Sequence, residues 1–307
     1  MPKNYSEVYF SLVCMVLLLP MNYNKIDLSL ADLHIHTIAS DGEMLAKDVI
    51  DISFRRGLKI ISITDHDGVG SYIGRVEKLK EAASLKGMEL IAGIELDSEY
   101  RGVEIHILGY GIDVESSNLN DHLHKIQLLR RKRILEIVDK VNENYGREVI
   151  NHNDIFPDGR ETMMKPHVVR ELLRKRLFNT YQDASGWISE KCKPKTVVAK
   201  LPPEDIIKII LESGGVPVLA HPAYYLGING IGLRRMLSEL SMAGLAGVEV
   251  YYDYHGFMPS SFGRINIPDL ISLIKNESKK CELFFTRGSD SHTSEELWER
   301  NPPVLTL

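Results

Sequence analysis

Brief aliphatic runs separated by amphipathic stretches constrain this chain more than any other feature. Residues 58–64 (LKIISIT), 88–94 (MELIAGI), 216–220 (VPVLA), 246–250 (AGVEV) and 283–286 (LFFT) are short, rich in branched or aromatic side chains, and bounded by glycine or charge. Such runs read as buried strands. Between them, residues 46–56 carry Val49, Ile50, Ile52 and Phe54 on roughly one side and stop at Gly57. Pro202-Pro203-Glu204-Asp205 opens a helix that runs to Ser213, before Gly214-Gly215. Leu233–Met242 and residues 267–275 are further helix candidates. Strands alternating with helices predict parallel βα units and an α/β fold.

Histidines and acids gather where these strands end. Asp32-Leu33-His34-Ile35-His36 places two imidazoles at alternate positions, hence on one face of a strand. Asp41-Gly42, Asp65-His66-Asp67, Glu95, His106, His221 and Asp290-Ser291-His292 follow. Residues 103–109 alternate so that His106 lies opposite Val103, Ile105 and Ile107. In barrels of this kind the working face is the C-terminal end of the strands. A lone His-x-His is an ordinary strand pair; nine such groups in this placement point to metal binding. One zinc ion needs only four ligands. His34, His36, Asp41, His66, Glu95, His106, His221, Asp290 and His292 therefore suit two or three divalent ions, and mixed imidazole and carboxylate favours Mn, Zn or Fe. Three divalent ions set against three carboxylates and a hydroxide leave a positive residue that favours an anionic substrate. Metal-activated hydroxide attacking a phosphate ester needs no Ser or Cys nucleophile.

The motifs Asp32-Leu33-His34-Ile35-His36-Thr37 with Asp41-Gly42, Thr64-Asp65-His66-Asp67, Gly93-Ile94-Glu95, His106, Ala220-His221-Pro222 and Gly288-Ser289-Asp290-Ser291-His292 resemble the PHP (polymerase and histidinol phosphatase) family, from about Ile26 to the C-terminus. The resemblance implies a distorted (β/α)7 barrel with a trinuclear site. His34, His36, Glu95 and Asp290 would hold one ion. Glu95, His106 and His221 would hold a second, and Asp41, His66 and His292 a third, with Glu95 bridging. His221, Asp290 and Glu95 would be the catalytic groups, and either a metal-bound water or His221 the general acid. Lys165-Pro166-His167 is similar to the Arg-Pro-His element of the branch containing nucleoside 3′,5′-bisphosphate phosphatases and 5′-to-3′ oligoribonucleases. There the Arg is expected to contact a substrate phosphate; Lys165 offers a point charge in place of a planar fork. Lys165, His167, Tyr251 and His255 are thus the substrate-binding candidates. The implied activity is hydrolysis of phosphate esters of small nucleotides or short 5′-phosphorylated RNA. The alternatives are a histidinol-phosphate-type phosphatase, a non-catalytic metal-binding regulatory module, and a metal-dependent amidohydrolase.

Residues 113–200 break the strand–helix rhythm and read as a helical insertion, a lid or substrate domain, between barrel segments 26–112 and 201–307. Residues 121–145 carry an apolar stripe (Ile126, Leu129, Ile134, Ile137, Val138, Val141), and residues 168–177 form another helix. Arg130-Arg131-Lys132-Arg133 reads as a solvated helix face. Asp32, Asp65 and Asp67 read as carboxylates that orient imidazoles, Asp67 equally as a turn residue. Residues 121–200 hold 17 Lys and Arg against 11 Asp and Glu, while the whole chain has net charge −5. That balance excludes a dedicated duplex-DNA binder. Cys14, Cys192 and Cys281 form no paired framework and read as thiols of a cytoplasmic protein. Apolar residues 8–19 are too short to span a bilayer, so residues 1–25 read as an N-terminal extension and no membrane partner is expected.

Overall fold

The computed structural model describes residues 27–156, 160–254 and 266–301. The extension read over residues 1–25, and His255, lie outside the described residues. Seven strands form one sheet in chain order: β1 (Ala31–Ile35), β2 (Ile60–Ile63), β3 (Glu89–Tyr100), β4 (Val103–Tyr110), β5 (Val216–Leu219), β6 (Gly247–Tyr251) and β7 (Phe284–Arg287). The sheet curls into a nearly closed barrel. His36 N–H donates to the Ser291 carbonyl (2.9 Å) and Asp290 N–H to the His34 carbonyl (2.8 Å), tying the segment after β7 to β1.

One strand departs from the parallel expectation. β4 runs antiparallel to both β3 and β5, whereas every other neighbouring pair is parallel. The cause is the two-residue turn Arg101-Gly102, where both residues have positive φ (54° and 75°). A turn this tight makes a hairpin and cannot make a crossover. β3 is also longer than its aliphatic run, because Glu95, Asp97 and Glu99 continue the strand as it passes the barrel mouth.

Ten helices surround the described barrel: α1 (Ala46–Arg55), α2 (Val76–Ser84), α3 (Ser117–Tyr145), α4 (His152–Ile155), α5 (Lys165–Arg174), α6 (Tyr181–Lys191), α7 (Pro203–Glu212), α8 (Leu233–Met242), α9 (Ile267–Lys280) and α10 (Ser294–Glu299). α5 begins at Lys165, three residues before the expected start, because Pro166 is tolerated in a first helical turn. α9 continues past Lys275 through Asn276-Glu277-Ser278, burying Ser278. α2, α4, α6 and α10 lack long apolar stripes and were not legible as helices in the sequence.

Packing divides into three clusters. The largest joins the outer faces of the strands to α1, α7, α8 and α9 through residues such as Val49, Ile105, Ile206, Met236 and Ile274. A second lies among the helices between β4 and β5, with Ile137, Val138, Val141, Val169, Leu172 and Ile188 all almost fully buried. A third joins Ala31 and Leu33 of β1 to Leu108 and Tyr110 of β4 and Val218 of β5. β1 is a sheet neighbour of neither β4 nor β5, so this cluster fills the barrel interior below the mouth. Among the described residues, no helix is long and apolar enough to cross a membrane.

Candidate metal centre

The strand ends deliver the histidines to one buried cup. His34 and His36 leave the end of β1 and are both fully buried. Two glycines permit the close approaches around them. A Cβ on Gly288 would lie 2.1 Å from Glu249 Oε1 and 2.3 Å from His34 Cβ, and one on Gly42 would lie 2.6 Å from the His36 carbonyl. Asp67, His221 and Asp290, each just past a strand, have φ of 42°, 25° and 52°. Positive φ is unfavourable for a residue with a Cβ and persists where the surroundings enforce it.

Glu95 stands at the middle. Its Oε2 lies 3.2 Å from His34 Nε2, 3.3 Å from His36 Nε2 and 3.1 Å from His66 Nδ1. Its Oε1 lies 2.9 Å from His106 Nδ1 and 3.3 Å from His221 Nε2. Asp290 Oδ1 closes on His34 (3.4 Å) and His36 (3.0 Å), whose Nε2 atoms are themselves 3.1 Å apart. Asp41 Oδ1 faces His292 Nε2 at 3.2 Å and His36 Nδ1 at 3.9 Å.

Four donor groups result: His34, His36, Glu95 and Asp290; His36, Asp41, His66 and His292; His66, Glu95 and His106; and Asp97, Glu104 and His106. Within each, one ligand atom per residue lies within 4.8 Å of the others. His221 joins through Glu95. Asp41 Oδ1, His66 Nδ1 and Glu95 Oε2 are buried with no hydrogen-bond partner. Buried polar atoms are normally satisfied, so a cation fits this donor set.

The electrostatics agree. Burial lifts the Glu95 carboxyl, but the His66, His34 and His106 imidazoles outweigh it and hold it well below the usual range. Burial depresses His34, but Glu95, Glu249 and Asp290 push it well above the ordinary imidazole value. The acids thus draw positive charge into the cup, and a divalent ion can supply it in place of protons.

Around the cup, the expected roles of three aspartates are corrected. Asp32 accepts from Ser289 N–H (2.9 Å), Asn301 Nδ2 (2.6 Å) and His34 N–H (3.3 Å). Asp65 accepts from Thr37 N–H and Oγ1 (2.7 and 2.8 Å) and from the Ser40 and Ser71 hydroxyls (2.6 Å each). Neither touches an imidazole: both fix loop backbone. The carboxylate that orients imidazole is Glu249, which accepts from His34 Nδ1 (3.1 Å) and from His221 N–H (2.8 Å). In the sequence Glu249 sits in the stretch Gly247-Val248-Glu249-Val250-Tyr251, where Tyr251 is the residue singled out and Glu249 reads only as part of a strand.

Arg130 is likewise not solvated. It is 8% exposed, and its guanidinium reaches Asp67 Oδ2 (2.9 and 2.5 Å) and Asp97 Oδ2 (2.6 Å). A buried acid pair facing α3 turns one arginine of the basic run inward. Asp67 is therefore an Arg-paired carboxylate and not a plain turn residue.

The substrate candidates lie apart from one another. Lys165 Nζ donates to Ser189 Oγ (3.2 Å) on α6. His167 is buried, its Nδ1 accepting from Met164 N–H and its Nε2 donating to the Ser40 carbonyl (2.9 Å each), which latches α5 to the loop carrying Asp41. Burial, with Arg160 beside it, depresses His167 to about 4. Tyr251 accepts from Lys275 Nζ of α9 (3.2 Å). Tyr252, the next residue, turns to the cup and donates to Asp290 Oδ2 (3.0 Å). Arg170 Nη1 donates to the Asp41 carbonyl (2.5 Å), and Arg160 Nε nearby is buried without a partner.

Comparison with known proteins follows the same lines. The sequence profile of the PHP domain matches residues 32–193. A 5′-3′ exoribonuclease of Haemophilus influenzae is 27% identical over 264 residues, covering 85% of this chain and 89% of that protein. A 3′,5′-nucleoside bisphosphate phosphatase of Chromobacterium violaceum is 26% identical over 270 residues, covering 85% and 86%. Among solved structures, a protein of Bifidobacterium adolescentis provisionally assigned as a metal-dependent phosphoesterase shares the fold, with TM-score 0.70, 21% identity and coverage of 85% and 87%.

Proposed function

The chain belongs to the PHP domain family, and from that premise we propose that it is a metal-dependent phosphoesterase, acting in the cytoplasm on nucleoside 3′,5′-bisphosphates or short 5′-phosphorylated RNA. One observation carries the reading. Eight of the nine expected ligands fall into compact donor groups around a buried, unpartnered Glu95 oxygen. The curated relatives, named for nucleotide and RNA hydrolysis along most of their lengths, supply the substrate class.

His34, His36, Glu95 and Asp290 would hold one ion, Asp41, His66 and His292 another, and Glu95, His106 and His221 the remaining one, with Mn, Zn or Fe as the candidates. Bound there, divalent ions would activate solvent and withdraw charge from phosphoryl oxygens. The protein contributes the rest. Tyr252 and Glu249 fix Asp290, His34 and His221 before substrate arrives. His221, at the edge of the donor groups, has the Tyr225 hydroxyl on its Nδ1 (2.9 Å), which sets the ring so that Nε2 is the ligating atom. Arg160 and Arg170, beside Asp41, give the mouth a basic side for a second phosphate. They join Lys165, whose ammonium bonds Ser189 on α6, as candidates for that role. The helices of residues 113–200 are the substrate-side lid in this reading.

The test is phosphate release from adenosine 3′,5′-bisphosphate and nucleotide release from a short 5′-phosphorylated RNA, each with Mn2+. Turnover of at least one, reduced to background by His34→Ala, is expected. Release from neither substrate with Mn, Zn or Fe overturns the proposal.

A further inference from the structure

Besides Glu249, the cup contains a second carboxylate that the ligand motifs did not supply. Asp97 lies on β3 two residues beyond Glu95, so both side chains leave the same face. It is 3% exposed. Its two oxygens have different surroundings. Oδ2 is taken by Arg130 Nη2 (2.6 Å) and Lys200 Nζ (3.2 Å). Oδ1 has no hydrogen-bond partner and faces His66 Nδ1 at 3.3 Å and His106 Nε2 at 3.7 Å. His66 Nδ1 is also unpartnered, as is Glu95 Oε2, which lies 3.1 Å from it. The orphaned, buried His66 Nδ1 thus faces two orphaned, buried carboxylate oxygens, one from Glu95 and one from Asp97. A buried polar atom left without a partner is costly, and one shared cation would satisfy all three.

We propose that Asp97 Oδ1 is a tenth donor to the centre, ligating the divalent cation shared by His66 Nδ1 and Glu95 Oε2. This rests on the reading that the cup holds metal ions. The fork of Arg130 and the ammonium of Lys200 bind the other oxygen, which fixes the carboxylate's rotation and leaves Oδ1 turned to the ion. Glu104 also lies near His106, 3.4 Å from its Nε2, but its carboxylate is half-exposed and paired with Lys200, so it is not a donor to this ion.

The experiment titrates metal-stripped, full-length protein with Mn2+, following free Mn2+ by electron paramagnetic resonance. Wild type, Asp97→Asn and Glu104→Gln are compared. In Asp97→Asn one equivalent is expected to bind at least tenfold more weakly, the remaining equivalents unchanged; Glu104→Gln should match wild type. Identical titrations for wild type and Asp97→Asn overturn the inference, as does equal weakening by both variants, which would mark a general field effect. Wild type that binds no Mn2+ overturns the phosphoesterase reading as well, so the two failures are distinguishable. A crystal structure of the zinc-loaded wild type needs no variant. Asp97 Oδ1 at about 2.0–2.2 Å from an ion supports ligation; Oδ1 hydrogen-bonded to an imidazole N–H, outside every coordination sphere, overturns it.

Discussion

At the residue scale, the centre depends on partners that set the rotation of each ligand. Glu249 spans the His34 ring and the His221 backbone, and both Glu249 and His34 are fully buried. Carboxylates behind metal-binding imidazoles typically account for 10–100-fold in metal affinity or activity. Glu249→Gln should therefore weaken Mn2+ binding by about that factor, measured by calorimetry, with little change in the circular dichroism of the fold. Unchanged affinity would remove Glu249 from the centre's support. The histidines and acids themselves were legible, because ligands must be specific residue types at strand ends. Glu249, Asp97 and Arg130 were not. Each is functional only through what lies opposite it in space, and nothing in a strand glutamate or a run of four basic residues announces that partner.

At the element scale, α3 is the link between the helices and the barrel. Leu119 and Leu123 near its start belong to the barrel's core cluster, Arg130 reaches Asp67 and Asp97, and Ile134 to Val141 build the helical cluster. Removing one partner of a buried ion pair typically costs 3–5 kcal/mol, because the other charge is stranded. Arg130→Met should lower unfolding stability by roughly that amount in urea. A loss under about 1 kcal/mol, the range of surface pairs, would show that Arg130 is solvated after all. Most elements could be read from periodicity because their apolar faces repeat. The direction of β4 could not, since strand polarity follows from the length of a turn, and the ends of β3 and α9 were hidden by polar residues that extend them.

At the scale of the whole molecule, barrel and cup stabilise one another. The donor groups draw residues from β1, β3, β4 and the segments after β2, β5 and β7, so ions bound there would cross-link nearly the full circumference. A ligand that binds only the folded state at 100 times its dissociation constant adds about 2.7 kcal/mol. Chelation with EDTA should therefore lower the melting temperature and abolish turnover together, and added Mn2+ should restore both. Restored stability without restored turnover would separate the structural from the catalytic ions. No change in either on chelation would argue against bound metal.

The reversed strand has a further consequence. Because β4 descends from the rim, the chain leaves it far from the cup, and whatever follows must climb back to take part there. α3 begins beside the C-terminus of α7, where Asn118 bonds Glu212, and 29 residues carry it about 43 Å. The stretch of α3 before Arg130 is thus the altimeter of this architecture: two turns fewer ahead of it would strand its guanidinium about 10 Å short of its aspartates.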